Sequence, residues 1–220
     1  MLLYHGTSEL HLEKILKKGI TPRSHRKDRI GNWKHTITSN SKAVYLTNAY
    51  GVFYAQSALN KKERLVVIEI NSDLLLPWKF TPDEDCLEQT SRKQSIVEDN
   101  NGSVCTSEMT MKQRTRWFRK RLLQFRHHWE DSVKLLGNCC YHDVVPISSF
   151  TRYALLPFNS AISFACDPCM TLLNYHIMGA YYRELTKHVF GDSLDMSAHW
   201  QMDYISKLPR DDIEIRTITS

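Results

Sequence analysis

Residues 64–70, Arg-Leu-Val-Val-Ile-Glu-Ile, set the strongest constraint on what this chain can fold into. A run this rich in β-branched and aliphatic residues reads as a buried strand, and a buried strand needs other elements to cover it. The residues ahead of it supply them in alternation. Residues 2–4 are a short apolar run suited to a strand. Thr7 or Ser8 can then cap a helix in which Leu10, Leu12, Ile15 and Leu16 recur near helical spacing until Gly19 closes it. Residues 43–46 read as a second strand, and Asn48 reads as the cap of a helix through Tyr50, Phe53, Tyr54 and Ala58. The order is strand, helix, strand, helix, strand.

Between these elements and beyond them the pattern changes. Residues 21–42 are rich in Arg, Lys, His, Ser, Asn and Thr and include Pro22 and Gly31, the composition of a long polar connection that can cover a ligand. Residues 82–89, Pro-Asp-Glu-Asp-Cys-Leu-Glu-Gln, read as an acidic loop, and residues 90–107 as a polar, exposed stretch. Residues 109–131 read as one helix, because Phe118, Leu122, Phe125 and Trp129 fall on a stripe while Arg114, Arg119, Lys120, Arg121 and Arg126 crowd the other faces. Two further strands are predicted at 132–136 and 149–156 with a turn between them, and a helix is predicted around 170–190.

Composition bounds the class. With 42% hydrophobic residues in 220, including five Trp, ten Tyr and eight Phe, the chain can bury a real core, which excludes general disorder. No run approaches the ~18 apolar residues that a bilayer requires, and no targeting segment is visible, so a cytoplasmic protein is expected. The six cysteines are unevenly placed and include the adjacent Cys139 and Cys140, a poor disulfide framework, so reduced thiols are expected. Cys166 and Cys169 have the spacing of half a zinc site, but no second such pair follows, and no metal is expected. The net charge of +5 becomes informative where it is local, in the basic helix.

The stretches Leu-Tyr-His-Gly-Thr-Ser (3–8), Ala-Val-Tyr-Leu-Thr-Asn-Ala-Tyr (43–50) with Tyr54 beyond, and Val-Val-Ile-Glu-Ile (66–70) together resemble the N-terminal half of ADP-ribosyltransferases of the diphtheria-toxin and poly(ADP-ribose) polymerase type. The resemblance covers about the first third of the chain. It implies an α+β fold: a split-sheet NAD-binding core over residues 1–156, with a mainly helical C-terminal extension, 157–220, packed on it. It also implies roles. His5 would hydrogen-bond a ribose hydroxyl of NAD, and the backbone of Gly6 would hold the nicotinamide carboxamide, while Thr7 assists there or starts the helix. Tyr45 and Tyr54 would sandwich the nicotinamide ring, and Arg23 would meet a phosphate beneath the polar loop.

Transfer from NAD builds positive charge on the ribose, so a fixed carboxylate lowers the barrier. Members of the family place a Glu at the start of a late strand. Here that position falls at Glu130 or Asp131, one register step apart, with Ser132 a third occupant. Glu130 is favoured, and Glu88 in the acidic loop is kept as a second catalytic candidate.

The acceptor is inferred from charge. Arg114, Arg116, Arg119, Lys120, Arg121 and Arg126 near Trp117, Phe118, His127 and His128 can neutralise phosphates while aromatics stack on unpaired bases, which favours RNA or DNA. The competing reading is an amphipathic helix with a solvated charged back. Small basic transferases of this type resemble the toxins of toxin–antitoxin and phage-defence systems, which implies a neutralising partner protein. Residues 133–150 are also similar in pattern to transferases that move a 2′-phosphate from RNA onto NAD, although their basic quartet cannot be placed. The remaining alternatives are modification of a protein and a non-catalytic module that binds NAD or ADP-ribose.

Overall fold

The computed structural model describes residues 1–25, 39–58, 63–92, 94, 96–158, 178–193 and 210–218. It is an α+β structure built on a seven-stranded antiparallel sheet. The strands are β1 (Leu2–Ser8), β2 (Val44–Thr47), β3 (Leu65–Asn71), β4 (Phe80–Pro82), β7 (Asn138–Tyr141), β8 (Phe150–Leu156) and β9 (Glu214–Thr217), in the order β4-β7-β2-β1-β3-β8-β9. A separate hairpin joins β5 (Ile96–Glu98) to β6 (Val104–Thr106). The helices are α1 (Glu9–Lys18), α2 (Gly51–Ser57), α3 (Glu84–Ser91), α4 (Met111–Arg119), α5 (Trp129–Leu136) and α6 (Ala180–Phe190).

The strand at 64–70 takes the buried place that its composition demands. In β3, Leu65 and Val67 pack with Tyr4, Ala154 and Leu156 against α2 and α6. Val66, Ile68 and Ile70 pack with Leu3 and Leu155 on the other side, against Leu12 and Ile15 of α1. Within Leu65–Ile70 every position but Glu69 is apolar, as a strand covered on both faces requires. Glu69 is buried too, and the guanidinium of Arg152 meets both its carboxylate oxygens at 2.9 and 2.8 Å.

The early elements follow the sequence reading closely. Ser8 caps α1 by accepting from the Leu10 amide, and Gly19 ends it at a φ of 76°. Helix α2 departs in its cap, because the Thr47 hydroxyl, not Asn48, accepts from the amides of Ala49 and Tyr50.

Later elements correct the reading. Residues 109–131 are not one helix. After α4 the chain turns at Lys120 and Arg121, runs as a 3₁₀ helix over Leu122–His128, and restarts as α5. Residues 132–136, expected as a strand, are the body of α5, closed by Gly137 at a φ of 76°. The strand lies just beyond, at β7, where a turn was expected.

The acidic loop is β4 followed by α3, with Asp83 as N-cap and Glu84 and Asp85 in the first turn. Much of the polar stretch after it is the β5–β6 hairpin, whose Cys105 packs with Trp117, Phe118 and Leu122 in a third apolar cluster. Of the C-terminal extension, the described part holds α6 and β9, so it ends in a strand that widens the sheet. Cys166, Cys169 and the first part of the helix predicted around 170–190 lie outside the described residues. Among the described residues no helix is long and apolar enough to cross a membrane.

Candidate active site

The sheet is weakest between β1 and β2. Strand β1 pairs with β3 at seven positions, but with β2 at only one, Tyr4 with Thr47. Just past that pair the half-buried His5 crosses the gap, with Nδ1 3.1 Å from the Tyr45 carbonyl oxygen. A carbonyl can only accept, so in this bond Nδ1 carries the hydrogen, and in an uncharged ring Nε2 is then the acceptor. A side chain thus replaces ladder hydrogen bonds where the β4-β7-β2 and β1-β3-β8-β9 halves part.

Gly6 stands beside His5 in β1, and helix α2 lies directly on it. A Cβ there would fall inside contact distance of the Gly51 carbonyl oxygen and the Ala55 nitrogen, and 2.8 Å from the Tyr54 carbonyl carbon. The missing side chain is therefore required by the packing of α2, which brings Tyr54 alongside β1. The Tyr54 ring meets Phe53 and Tyr50 edge-on at 5.6 and 6.2 Å. Thr7 is buried within β1, one residue before the α1 cap.

Tyr45 is the better-anchored tyrosine. Its hydroxyl donates to Glu84 Oε1 at 2.7 Å and accepts from the Asn40 amide at 2.6 Å. Burial, with the Glu84 charge next in weight, holds this phenol well above its ordinary pKa, so it stays protonated and donating. Among the described residues no ring contact joins Tyr45 to Tyr54, and their surroundings differ.

Glu84 is the residue that the sequence reading passed over. It opens α3, is 2% exposed, and also receives Arg119 Nε and Nη2 at 3.1 and 2.8 Å. The Cys140 thiol lies 4.0 Å from its other carboxylate oxygen. Cys140 is the register partner of Tyr45 on β2 and of Thr81 on β4. Thr81 in turn bonds His142 Nε2 at 2.9 Å. One row of adjacent strands thus carries Tyr45, Cys140 and Thr81, with Glu84 against its first two members.

The electrostatics of the row follow from burial. Desolvation raises the Cys140 thiol well above its usual range, with Glu84 adding to it, which keeps the thiol neutral. Burial pushes His142 below its ordinary value, so this imidazole is neutral near pH 7. Asp83, the α3 cap, is raised well above the carboxylate range by burial first and by the Asp85 and Glu84 charges next. A signal for Glu84 did exist in the sequence. Asp followed by two acids and then Cys86 and Leu87 is a helix start, and acids in a first turn complement its dipole.

The other candidates lie elsewhere. Glu130 is on the outer side of α5's first turn, its side chain 54% exposed, with Lys134 4.0 Å away. It cannot stand at the start of a late strand, because the strand beside β2 is β7, which carries Cys139 and Cys140 instead. Asp131 is exposed and bonds His128 at 3.1 Å, and Ser132 is buried, giving its hydroxyl to the Asn138 carbonyl.

Glu88 is buried in α3 and paired with Arg92 at 2.8 Å and Arg114 at 3.5 Å, an arrangement that pins α3 to α4. Arg23 donates to the Ser39 carbonyl and hydroxyl at 2.5 and 3.0 Å. Most of the polar loop beneath which it was expected to act lies outside the described residues.

The basic segment divides in two. Arg114 is buried on α3, Arg119 is on Glu84, and Arg121 pairs with Asp99 while lying 4.2 Å over the Trp117 ring. Trp117 and Phe118 are buried in the third cluster, so they are not open to bases. Arg116, Lys120 and Arg126 remain exposed, together with His127 and His128. Among the described residues no three His, Cys, Asp or Glu side chains gather as a metal set. Neither a protein-family model nor a curated protein matches the chain.

Proposed function

We propose that the chain is an NAD-dependent ADP-ribosyltransferase whose site lies where β1 and β2 part. The observation that carries this reading is the joining of His5 and Tyr45 at that gap, with a buried carboxylate on the Tyr45 phenol. A junction bridged by an imidazole instead of a continuous ladder opens the sheet between two strands, which suits a polar ligand better than an unbroken sheet does.

The residues fit NAD in kind. His5 orients a ribose hydroxyl, β1 at Gly6 offers backbone next to α2, and the Tyr45 phenol is held rigid by Glu84 and Asn40, with Tyr54 brought up by α2. NAD supplies the electrophilic ribose carbon. An acceptor atom bonds to that carbon as the bond to nicotinamide breaks, the electron pair leaves with nicotinamide, and the acceptor's proton is released. The chain's contribution is to hold the ribose in place for that exchange.

The acceptor proposed is RNA or DNA, engaged through Arg116, Lys120 and Arg126, which remain open to phosphates. The test incubates the protein with adenylate-labelled NAD and a cell extract, then treats the product with nuclease or protease. Label freed by nuclease supports nucleic-acid transfer, label freed by protease moves the acceptor to a polypeptide, and no incorporation overturns the transferase reading.

A further inference from the structure

We infer that Arg119 and Glu84 form a positioning chain for Tyr45, setting the angle at which its phenol meets the ligand; this rests on the NAD reading of the site. The chain crosses three elements: Arg119 at the end of α4, Glu84 at the start of α3 and Tyr45 in β2. A single carboxylate oxygen, Glu84 Oε1, takes both guanidinium nitrogens at 3.1 and 2.8 Å and the phenol at 2.7 Å. The phenol oxygen also accepts from Asn40 at 2.6 Å, so the tip of the ring is fixed by one bond given and one received.

Energetics argue that this arrangement is there for geometry. Burying an ion pair gains little stability over apolar side chains of the same shape, because desolvation offsets the attraction. A tyrosine needed only for packing could be a phenylalanine here, with no carboxylate beneath it. Glu84 is too enclosed, at 2% exposed, to meet a ligand itself, and Tyr45 is only half-buried. The contribution of Glu84 to ligand handling therefore passes through the phenol it holds. Arg119 Nε and Nη2 both donate to the Glu84 oxygen that takes the phenol, so the guanidinium fixes where that acceptor stands.

The experiment measures nicotinamide release and NAD binding for the full chain and four variants: Tyr45→Phe, Glu84→Gln, Glu84→Ala and the double Glu84→Ala/Tyr45→Phe. Glu84→Ala and Tyr45→Phe are each expected to raise the KM for NAD about tenfold, the loss of roughly one buried hydrogen bond, with kcat within about twofold. Glu84→Gln, whose amide oxygen still accepts from the phenol, is expected to recover most of that loss. The double variant should be no worse than either single one, since both remove the same contact.

If a single variant at Glu84 does not fold, Glu84→Gln/Arg119→Met removes both charges and the Arg119 end of the chain; its KM is expected to rise severalfold, between those of Glu84→Gln and Tyr45→Phe, and a normal KM overturns the part of Arg119. Additive losses, or a fall in kcat with KM unchanged at Glu84→Ala, overturn the positioning chain while the NAD reading stands. A wild-type chain that neither binds nor consumes NAD overturns the NAD reading and the positioning chain with it.

Discussion

At Gly6 one missing methyl group joins fold and site. The helix backbone that brings Tyr54 to β1 occupies the space a side chain would need, and the atoms it would strike are backbone. Gly6→Ala is expected to destabilise the protein by about 3 kcal/mol, the upper part of the overpacking range, read as a fall in the denaturant midpoint. Asp83 makes the opposite prediction. Its buried carboxyl resists ionisation in the folded state, while in the unfolded chain it ionises near its ordinary pKa. From that pKa upward, rising pH therefore costs stability.

Asp83→Asn keeps an N-cap residue and removes the charge. It should raise the melting temperature at pH 7 and leave it unchanged at pH 3, which melts at the two pH values will check; each kcal/mol corresponds to about 2–4 °C in a chain of this size. His5 was visible in the sequence because it follows an apolar run and precedes Gly6. Glu84 carried only the weaker signal of a helix start, and an acid in an acidic stretch otherwise reads as solvated surface until the strand ahead of it is known.

Among elements, legibility follows how local the deciding signal is. Helix α1 was legible because its cap, its periodic residues and its closing glycine all lie within a dozen residues. The segment 109–131 misled because Phe118, Leu122, Phe125 and Trp129 are spaced by three and four. That spacing serves an α-helix, a 3₁₀ turn and a restarted helix equally, and at the break Arg121 is held by Asp99, Ser103 and the Trp117 carbonyl, partners that the spacing does not reveal. Helix α5 carried its own signals, Glu130 and Asp131 in the first turn and Gly137 after the last, but the family pattern of a late strand with a Glu outweighed them.

The start of α4 is a capping box, in which Thr110 accepts from the Gln113 amide and Gln113 reaches back to the Thr110 amide. Thr110→Ala should cost about 1 kcal/mol and, through α4, loosen Arg119. Urea denaturation gives the first, and a raised KM for NAD would register the second.

For the whole molecule, the division of the sheet organises everything else. The β1-β3-β8-β9 half is closed by the C-terminal strand, where Arg64 bonds Glu9 of α1 and Glu214 of β9 at 3.0 and 2.9 Å. Both carboxyls are held below their ordinary pKa, chiefly by hydrogen bonds to Arg64 at Glu9 and to Arg216 and Arg64 at Glu214. Their stabilisation is present above the ordinary carboxylate pKa and fades as pH falls through the lowered values.

These groups are about 40% exposed, so Arg64→Met should cost no more than about 1 kcal/mol at low salt and less at high salt. The β4-β7-β2 half carries Tyr45, Cys140 and Thr81, and His5 spans the two. On the proposed reading NAD is consumed at this junction. Release of nicotinamide from NAD, measured for the wild-type chain and His5→Ala with an extract as acceptor, tests it most directly. The wild type is expected to release nicotinamide, and His5→Ala to lose at least about tenfold in kcat/KM with the fold retained. Equal release by both proteins, or none by the wild type, would contradict it.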